Sequence, residues 1–131
     1  MDDVGGHLGP YAQMDIALDP IPYNGTTTTC EALWMGVPVV TMHGDRHRSR
    51  VGESLLTHLG APELIAHDTA DYVRIARDLA TDPERLKAYR GGLRKQMERS
   101  PLRDEAGFAR NMEAAYRNAW RAWCAAESFR R

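Results

Sequence analysis

Three short apolar runs, each leading through a loop into a helical pattern, limit what this chain can fold into. The first is Asp15-Ile16-Ala17-Leu18-Asp19, stopped by Pro20 and Pro22, neither of which could sit inside a central strand. The second is the stretch Val-Pro-Val-Val-Thr-Met from Val37 to Met42, and the third is Leu64-Ile65-Ala66. Strands that alternate with helices specify parallel βα units. Three short strands are few for a doubly wound sheet, whose parallel strands are normally covered on both faces. The expected fold is therefore α/β, the C-terminal part of a Rossmann-like domain. Its short parallel sheet has about three strands, with flanking helices and a helical C-terminus.

The helical patterns are read as follows. One runs from about Thr28 to Met35, with Ala32, Leu33 and Trp34 apolar and Gly36 ending it. The next covers about Arg46 to His58, with Val51, Leu55, Leu56 and Leu59 inward and Gly60 as C-cap. A third spans Ala70 to Ala80, with Tyr72, Val73, Ala76, Leu79 and Ala80 at helical spacing. Thr81 and Glu84 have capping-box spacing, and Pro83 suits the first turn of a helix that runs towards Ser100. Leu86, Tyr89, Leu93 and Met97 line that helix, and Gly91-Gly92 weakens its middle. Pro101 separates it from a final helix over 104–128, with an apolar stripe of Phe108, Met112, Ala115, Tyr116, Ala119, Trp120 and Trp123. Residues 1–10 hold four glycines or prolines and read as a flexible lead-in, with a short turn or helix end at Tyr11 to Met14. The whole, 1–131, reads as a single partial domain.

Composition excludes several function classes. Apolar residues make up 43% and charged residues 27% of the 131, a globular balance. Net charge is −1, from 17 basic and 18 acidic residues, so no field favours nucleic acid or a membrane surface. Cys30 and Cys124 form neither a disulfide framework nor a CxxC pair, which makes a reducing, cytoplasmic setting the default. No apolar run approaches the roughly 20 residues of a spanning helix, and the opening MDDVGGHLGP does not read as a signal peptide.

The chemistry concentrates in Asn24-Gly25-Thr26-Thr27-Thr28-Thr29. The segment follows the carboxyl end of the first strand, where open parallel sheets bind ligands, and it enters a helix. A helix N-terminus offers unpaired N–H groups and partial positive charge, which suit phosphate. Gly25 lets the backbone approach a ligand, and the threonines add hydroxyl donors. Glu31, about a turn later, could accept the two hydroxyls of a ribose. The alternative is a plain N-cap, with one threonine bonded to the helix and the others solvated. The segment is neither a Walker A loop nor GxGxxG.

"DIALDPIPYNGTTTTCEALWMGVPVVTMHGDRHRSRVGESLLTHLG" resembles the C-terminal catalytic lobe of protein O-linked N-acetylglucosamine transferases, especially bacterial and SPINDLY-like members. The similarity extends from about His7 to Cys124. It implies a GT-B glycosyltransferase of two Rossmann-like lobes, with the UDP-sugar donor held mainly by the C-terminal lobe. It also implies inverting transfer of N-acetylglucosamine, or in some members fucose, to Ser or Thr hydroxyls of an acceptor protein, with no metal and no cofactor. By the same resemblance, Thr26, Thr27 and Thr28 contact the diphosphate, Glu31 the ribose, and His7 lies near the uracil. The first threonine position is often His in the family. The family's diphosphate lysine lies upstream and matches neither Lys87 nor Lys95. Acceptor contacts and the base region belong to an N-terminal lobe, commonly preceded by a helical repeat (TPR) array. The resemblance therefore implies a fragment or truncated paralogue with no catalytic residue of its own.

Loss of the first strands would expose a sheet edge and apolar surface, so self-association into a homo-oligomer is expected. Trp120 and Trp123 could serve it, although filling the domain's own core is the preferred expectation. Other groups stay open. His43 and His47 follow the second strand and are either ligand contacts or loop residues in water. Ser49 and Arg50 start the second helix, where Arg50 faces either phosphate or an acid. Asp19 is expected to be structural. Arg85, Lys87, Arg90, Arg94, Lys95 and Arg99 read mostly as a solvated helix face, and Cys30 as a packed thiol.

Overall fold

A computed structural model describes residues 6–128. The parallel strands β1 (Ala17–Leu18), β2 (Val39–Met42) and β3 (Ile65–Ala66) form a sheet in the sequential order β1-β2-β3. Ala17 pairs with Val39 and Leu18 with Val40, while Thr41 pairs with Ile65 and Met42 with Ala66. Between and after the strands lie helices α1 (Thr27–Trp34), α2 (Val51–Leu59), α3 (Thr69–Ala80), α4 (Pro83–Glu98) and α5 (Glu105–Ser128). The expected α/β class, with about three parallel strands and a helical C-terminus, is the observed one.

β2 is the centre. Val39, Val40 and Thr41 are buried, against Ala32 and Leu33 of α1, Leu56 and Leu59 of α2, and Ile75 and Leu79 of α3. Leu93 and Met97 of α4 close the same core. Gly60 ends α2 in the left-handed conformation that its C-cap reading required.

Several expectations are corrected. Residues 9–13, read as lead-in and turn, form a 3-10 helix, Gly9–Gln13. Asp82, not Thr81, caps α4, its side chain accepting the Arg85 N–H at 3.0 Å. The Thr81 hydroxyl instead bonds back to the carbonyls of Arg77 and Asp78 at the end of α3. α4 runs unbroken through Gly91-Gly92, because Leu93 and Met97 anchor it in the core on the far side of the pair. On α3, Val73 points outward at 59% exposure while Ile75 and Leu79 are buried. A 3-10 turn, His47–Ser49, precedes α2 where one continuous helix was expected.

The largest correction concerns α5. Phe108, Tyr116, Trp120 and Trp123 are each more than half exposed, and Met112 is exposed too. The tryptophans stack on one another, ring centroids 5.1 Å apart, rather than filling the core. Amphipathic spacing identifies a stripe but not what covers it. No helix among the described residues is long and apolar enough to cross a membrane.

Candidate functional site

The turn between β1 and α1 is built on Asp19, which ends the first strand. Its side chain is buried; one oxygen accepts the Gly25 N–H at 2.8 Å and the other the Thr41 hydroxyl of β2 at 2.6 Å. The Tyr72 hydroxyl of α3 donates to the Asp19 carbonyl at 2.8 Å. Burial holds the Asp19 carboxyl above its ordinary value, against the lowering effect of the Thr41 and Gly25 bonds. Asp19 is thus a fully committed anchor, in agreement with its structural reading.

Asn24, also buried, fixes the rest of the loop. Its side chain accepts the Gly52 N–H of α2 at 3.2 Å and donates to the Pro20 carbonyl at 3.3 Å, and its backbone N–H reaches Arg48 O at 2.9 Å. Two glycines let these parts meet. A Cβ on Gly25 would lie 2.6 Å from the Thr28 hydroxyl, and one on Gly52 2.3 Å from both the Asp19 carboxylate and the Thr41 hydroxyl.

The four threonines then divide. Thr29 is buried and donates its hydroxyl to Gly25 O at 3.1 Å. Thr26, Thr27 and Thr28 are exposed, and no hydrogen bond engages their hydroxyls among the described residues. Thr26 stands at the N-cap position without a side-chain cap bond. The plain capping alternative therefore fails: none of the threonines caps α1. Their hydroxyls and the first-turn N–H groups face outward at the positive end of the helix dipole, with no acid in the first turn.

Beside Thr26 opens a cleft of about 890 Å³ that His47, Arg50 and Ser54 also line. Arg50 pairs with Glu53 at 3.5 Å, and the same carboxylate oxygen takes His43 at 2.9 Å. So His43 and Arg50 both gather on Glu53 on the ligand side of the sheet, while His47 lines the cleft with no side-chain partner among the described residues. Ser49 turns inward to the loop, bonding the Arg46 carbonyl at 3.0 Å.

On the other side of the turn, Glu31 gathers two groups. One oxygen lies 2.8 Å from His7 Nε2 and the other accepts the Tyr11 hydroxyl at 3.1 Å. The His7 contact, and less so the Tyr11 bond, holds the Glu31 carboxyl below its ordinary value. Burial and the Glu31 charge hold the Tyr11 hydroxyl up, so it stays a donor. A carboxylate has about four acceptor positions, so Glu31 can accept further hydroxyls while keeping both partners. Cys30 is half-buried, and burial followed by the Glu31 charge pushes its thiol up; it is a packed thiol, not a nucleophile.

Gly25, Thr26, Thr27, Thr28, Glu31 and His7 thus surround one helix end: three free hydroxyls in front, and the Glu31–His7 pair a turn behind. Tyr11 and Tyr72 complete the site and carry no sequence signal of their own. Tyr11 lies in a stretch read as a turn, and Tyr72 at a position read as core. Asn24 precedes the glycine as ordinary turn chemistry would have it.

The comparisons with known proteins fall on the same segment. The model of glycosyl transferase family 41 matches residues 7–112. A rice protein (Oryza sativa subsp. japonica) named "Probable UDP-N-acetylglucosamine--peptide N-acetylglucosaminyltransferase SPINDLY" is 51% identical over 118 residues, 90% of this chain and 13% of that protein. The UDP-N-acetylglucosamine--peptide N-acetylglucosaminyltransferase of Caenorhabditis elegans is 37% identical over 82% of this chain and 9% of its own length. A solved structure of a Thermobaculum terrenum O-GlcNAc transferase mutant superposes with a TM-score of 0.84 at 40% identity, over 95% of this chain and 24% of that one. The chain therefore spans about an eighth of the length of its SPINDLY relatives, 13% of the rice protein.

Proposed function

The chain belongs to glycosyl transferase family 41, and from that premise we propose that it is the donor-binding portion of an inverting glycosyltransferase. It is one partial domain, the later part of the C-terminal, donor-binding lobe of a GT-B enzyme. The whole enzyme would move N-acetylglucosamine or a related sugar from a nucleotide-sugar to Ser or Thr hydroxyls of an acceptor protein. The observation that carries this is the outward array of Thr26, Thr27 and Thr28 on an uncapped helix N-terminus.

In the transfer, an acceptor oxygen attacks the sugar's anomeric carbon as the bond to the diphosphate breaks. Negative charge grows on the departing phosphate oxygen. Fixed hydroxyl and N–H donors aimed at that charge lower the barrier without reorganising, and they do so without a metal. Glu31 accepts the ribose hydroxyls with the positions that His7 and Tyr11 leave, and His7 stands next to the base. The acceptor contacts and the group that removes the acceptor proton come from the N-terminal lobe, and a TPR array belongs to the whole enzyme. Cys30 and Cys124 form no disulfide among the described residues, which fits a cytoplasmic setting.

The test is calorimetric titration of the chain with UDP, with and without EDTA. Saturable binding that EDTA leaves unchanged, and that is lost in Thr27→Val plus Glu31→Ala, is expected. A folded chain that does not take up UDP overturns the half-site.

The stripe on α5 favours a second role beside this one, that of an oligomerising module. The geometry fits a second copy of the chain: Phe108, Met112, Tyr116, Trp120 and Trp123 recur at three- and four-residue spacing along one side, all exposed. Sedimentation of the wild type and of Trp120→Glu tests this. Association in the first and a monomer in the second is expected; a monomeric wild type overturns it.

A further inference from the structure

Arg90 lies on α4 and read in sequence as part of a solvated basic face. It is not free. Its Nη1 donates to the carbonyls of Tyr11 and Met35, each at 3.1 Å, and its Nη2 donates to the carbonyl of Met14. Arg94, one turn on, donates to the Trp34 carbonyl at 2.9 Å and lies over the Trp34 ring. These bonds correct the solvated reading for both residues.

The three carbonyls bound by Arg90 belong to two elements. Tyr11 and Met14 are in and just beyond the 3-10 helix Gly9–Gln13; Met35 ends α1. The same two elements supply the nucleoside end of the proposed site. Tyr11 donates to Glu31 of α1, and His7, just before the 3-10 helix, pairs with the other Glu31 oxygen.

The 3-10 helix is held lightly, with Tyr11 its one side chain packed against the core among the described residues. It is five residues long, contains no buried residue, and is a form that rarely persists alone. Tyr11 packs its ring partly against the core and bonds Glu31 through its hydroxyl, so the external tie acts on the backbone that carries it. The tie itself starts from a rigid point. Gly36 follows α1 at φ +80°, and a Cβ there would lie 2.6 Å from the Arg90 carbonyl. So α1 and α4 meet backbone to backbone at Arg90, and the guanidinium spans outward from that contact. A planar fork with five N–H donors can serve three carbonyls at fixed directions; an ammonium is a point charge on a flexible stem.

We infer that Arg90 is a positioning residue for the nucleoside end of the site. Its guanidinium is spent on backbone carbonyls, and it acts by holding Tyr11 and His7 against Glu31. This inference rests on the nucleotide reading proposed above.

The test compares wild type, Arg90→Ala and Arg90→Lys by UDP titration, and by hydrogen exchange without ligand. Arg90→Ala should lower UDP affinity about tenfold, as expected for losing charged hydrogen bonds that order a contact. Arg90→Lys should recover only part. In Arg90→Ala the amides of Tyr11 and Met14 should lose protection while those of Leu33 and Val40 keep theirs. Unchanged UDP affinity in Arg90→Ala overturns the inference. So does loss of protection that spreads to Leu33 and Val40, which would make Arg90 a general stabiliser. A wild type that binds no UDP overturns the nucleotide reading instead, and the exchange pattern then shows separately whether Arg90 clamps the segment.

Discussion

The two ends of α1 are opposites. At its C-terminus every available group is taken. The Trp34 and Met35 carbonyls accept from Arg94 and Arg90, the guanidinium groups of Arg94 and Arg103 both lie over the Trp34 ring, and Gly36 fits against the backbone of α4. At its N-terminus three hydroxyls and the first-turn N–H groups have no partner among the described residues. A short helix contributes little stability of its own. Here the closed end holds the helix so that the open end can keep its donors unspent.

Breaking the closed end should have the largest effect. Gly36→Ala places a side chain at φ +80° and against the Arg90 carbonyl, and is expected to destabilise by about 3 kcal/mol. Urea unfolding measures it; a loss under about 1 kcal/mol would show that the α1–α4 contact yields easily. Next comes the anchor beneath the open end. Asp19→Ala strands the Gly25 N–H and the Thr41 hydroxyl and is expected to cost about 2 kcal/mol. Asp19→Asn can keep the Gly25 bond with its oxygen, while its amide donates to a Thr41 hydroxyl turned round to accept.

The pair of Asp19 variants also carries a pH signature. The folded Asp19 carboxyl is held above its ordinary 3.8, so its contribution is greatest below that value and is lost as pH rises through the folded value. Relative to Asp19→Asn, the wild type should therefore lose stability as pH climbs above 3.8. Unfolding at a series of acidic pH values reads the difference, and an opposite slope would mean that the two hydrogen bonds outweigh burial.

Substitution at the open end should barely register in stability. Thr27→Val alone is expected to shift unfolding by no more than about 0.5 kcal/mol, since the hydroxyl has no partner to lose. A larger loss would mean the threonines serve the fold rather than a ligand. The smallest effect is electrostatic and local. His7→Ala removes the chief cause of the lowered Glu31 carboxyl, which should titrate closer to its ordinary 4.5 in an NMR experiment. No movement would sever the link between His7 and Glu31.

The open end was legible in the sequence, and of the closed end only the stop at Gly36 was. Asn-Gly followed by four threonines announces a strand-to-helix turn through local chemistry, and Asp19 and Gly25 sit where that turn needs them. Gly60 was legible for the same reason. Arg90, Arg94 and Tyr72 act on partners more than fifty residues away, at separations of 76, 60 and 53 for Met14, Trp34 and Asp19. No periodicity encodes such pairings, and an arginine on a basic helix looks the same whether it binds water or carbonyls. The α5 stripe failed for a related reason. Spacing marks Trp120 and Trp123 as one side of a helix, but burial depends on what else is present to pack there.

The long reach of Arg90 also orders events in time. The strands lie side by side in the order the ribosome makes them, so each βα unit has its neighbour already synthesised. Arg90, however, lies 55 positions after Met35 and 79 after Tyr11. At synthesis rates of about 5–20 residues per second, the end of α1 waits roughly 3–11 s for its clamp. During translation, then, the threonine turn can be in place for seconds while Tyr11 still swings free of the guanidinium that will tether it.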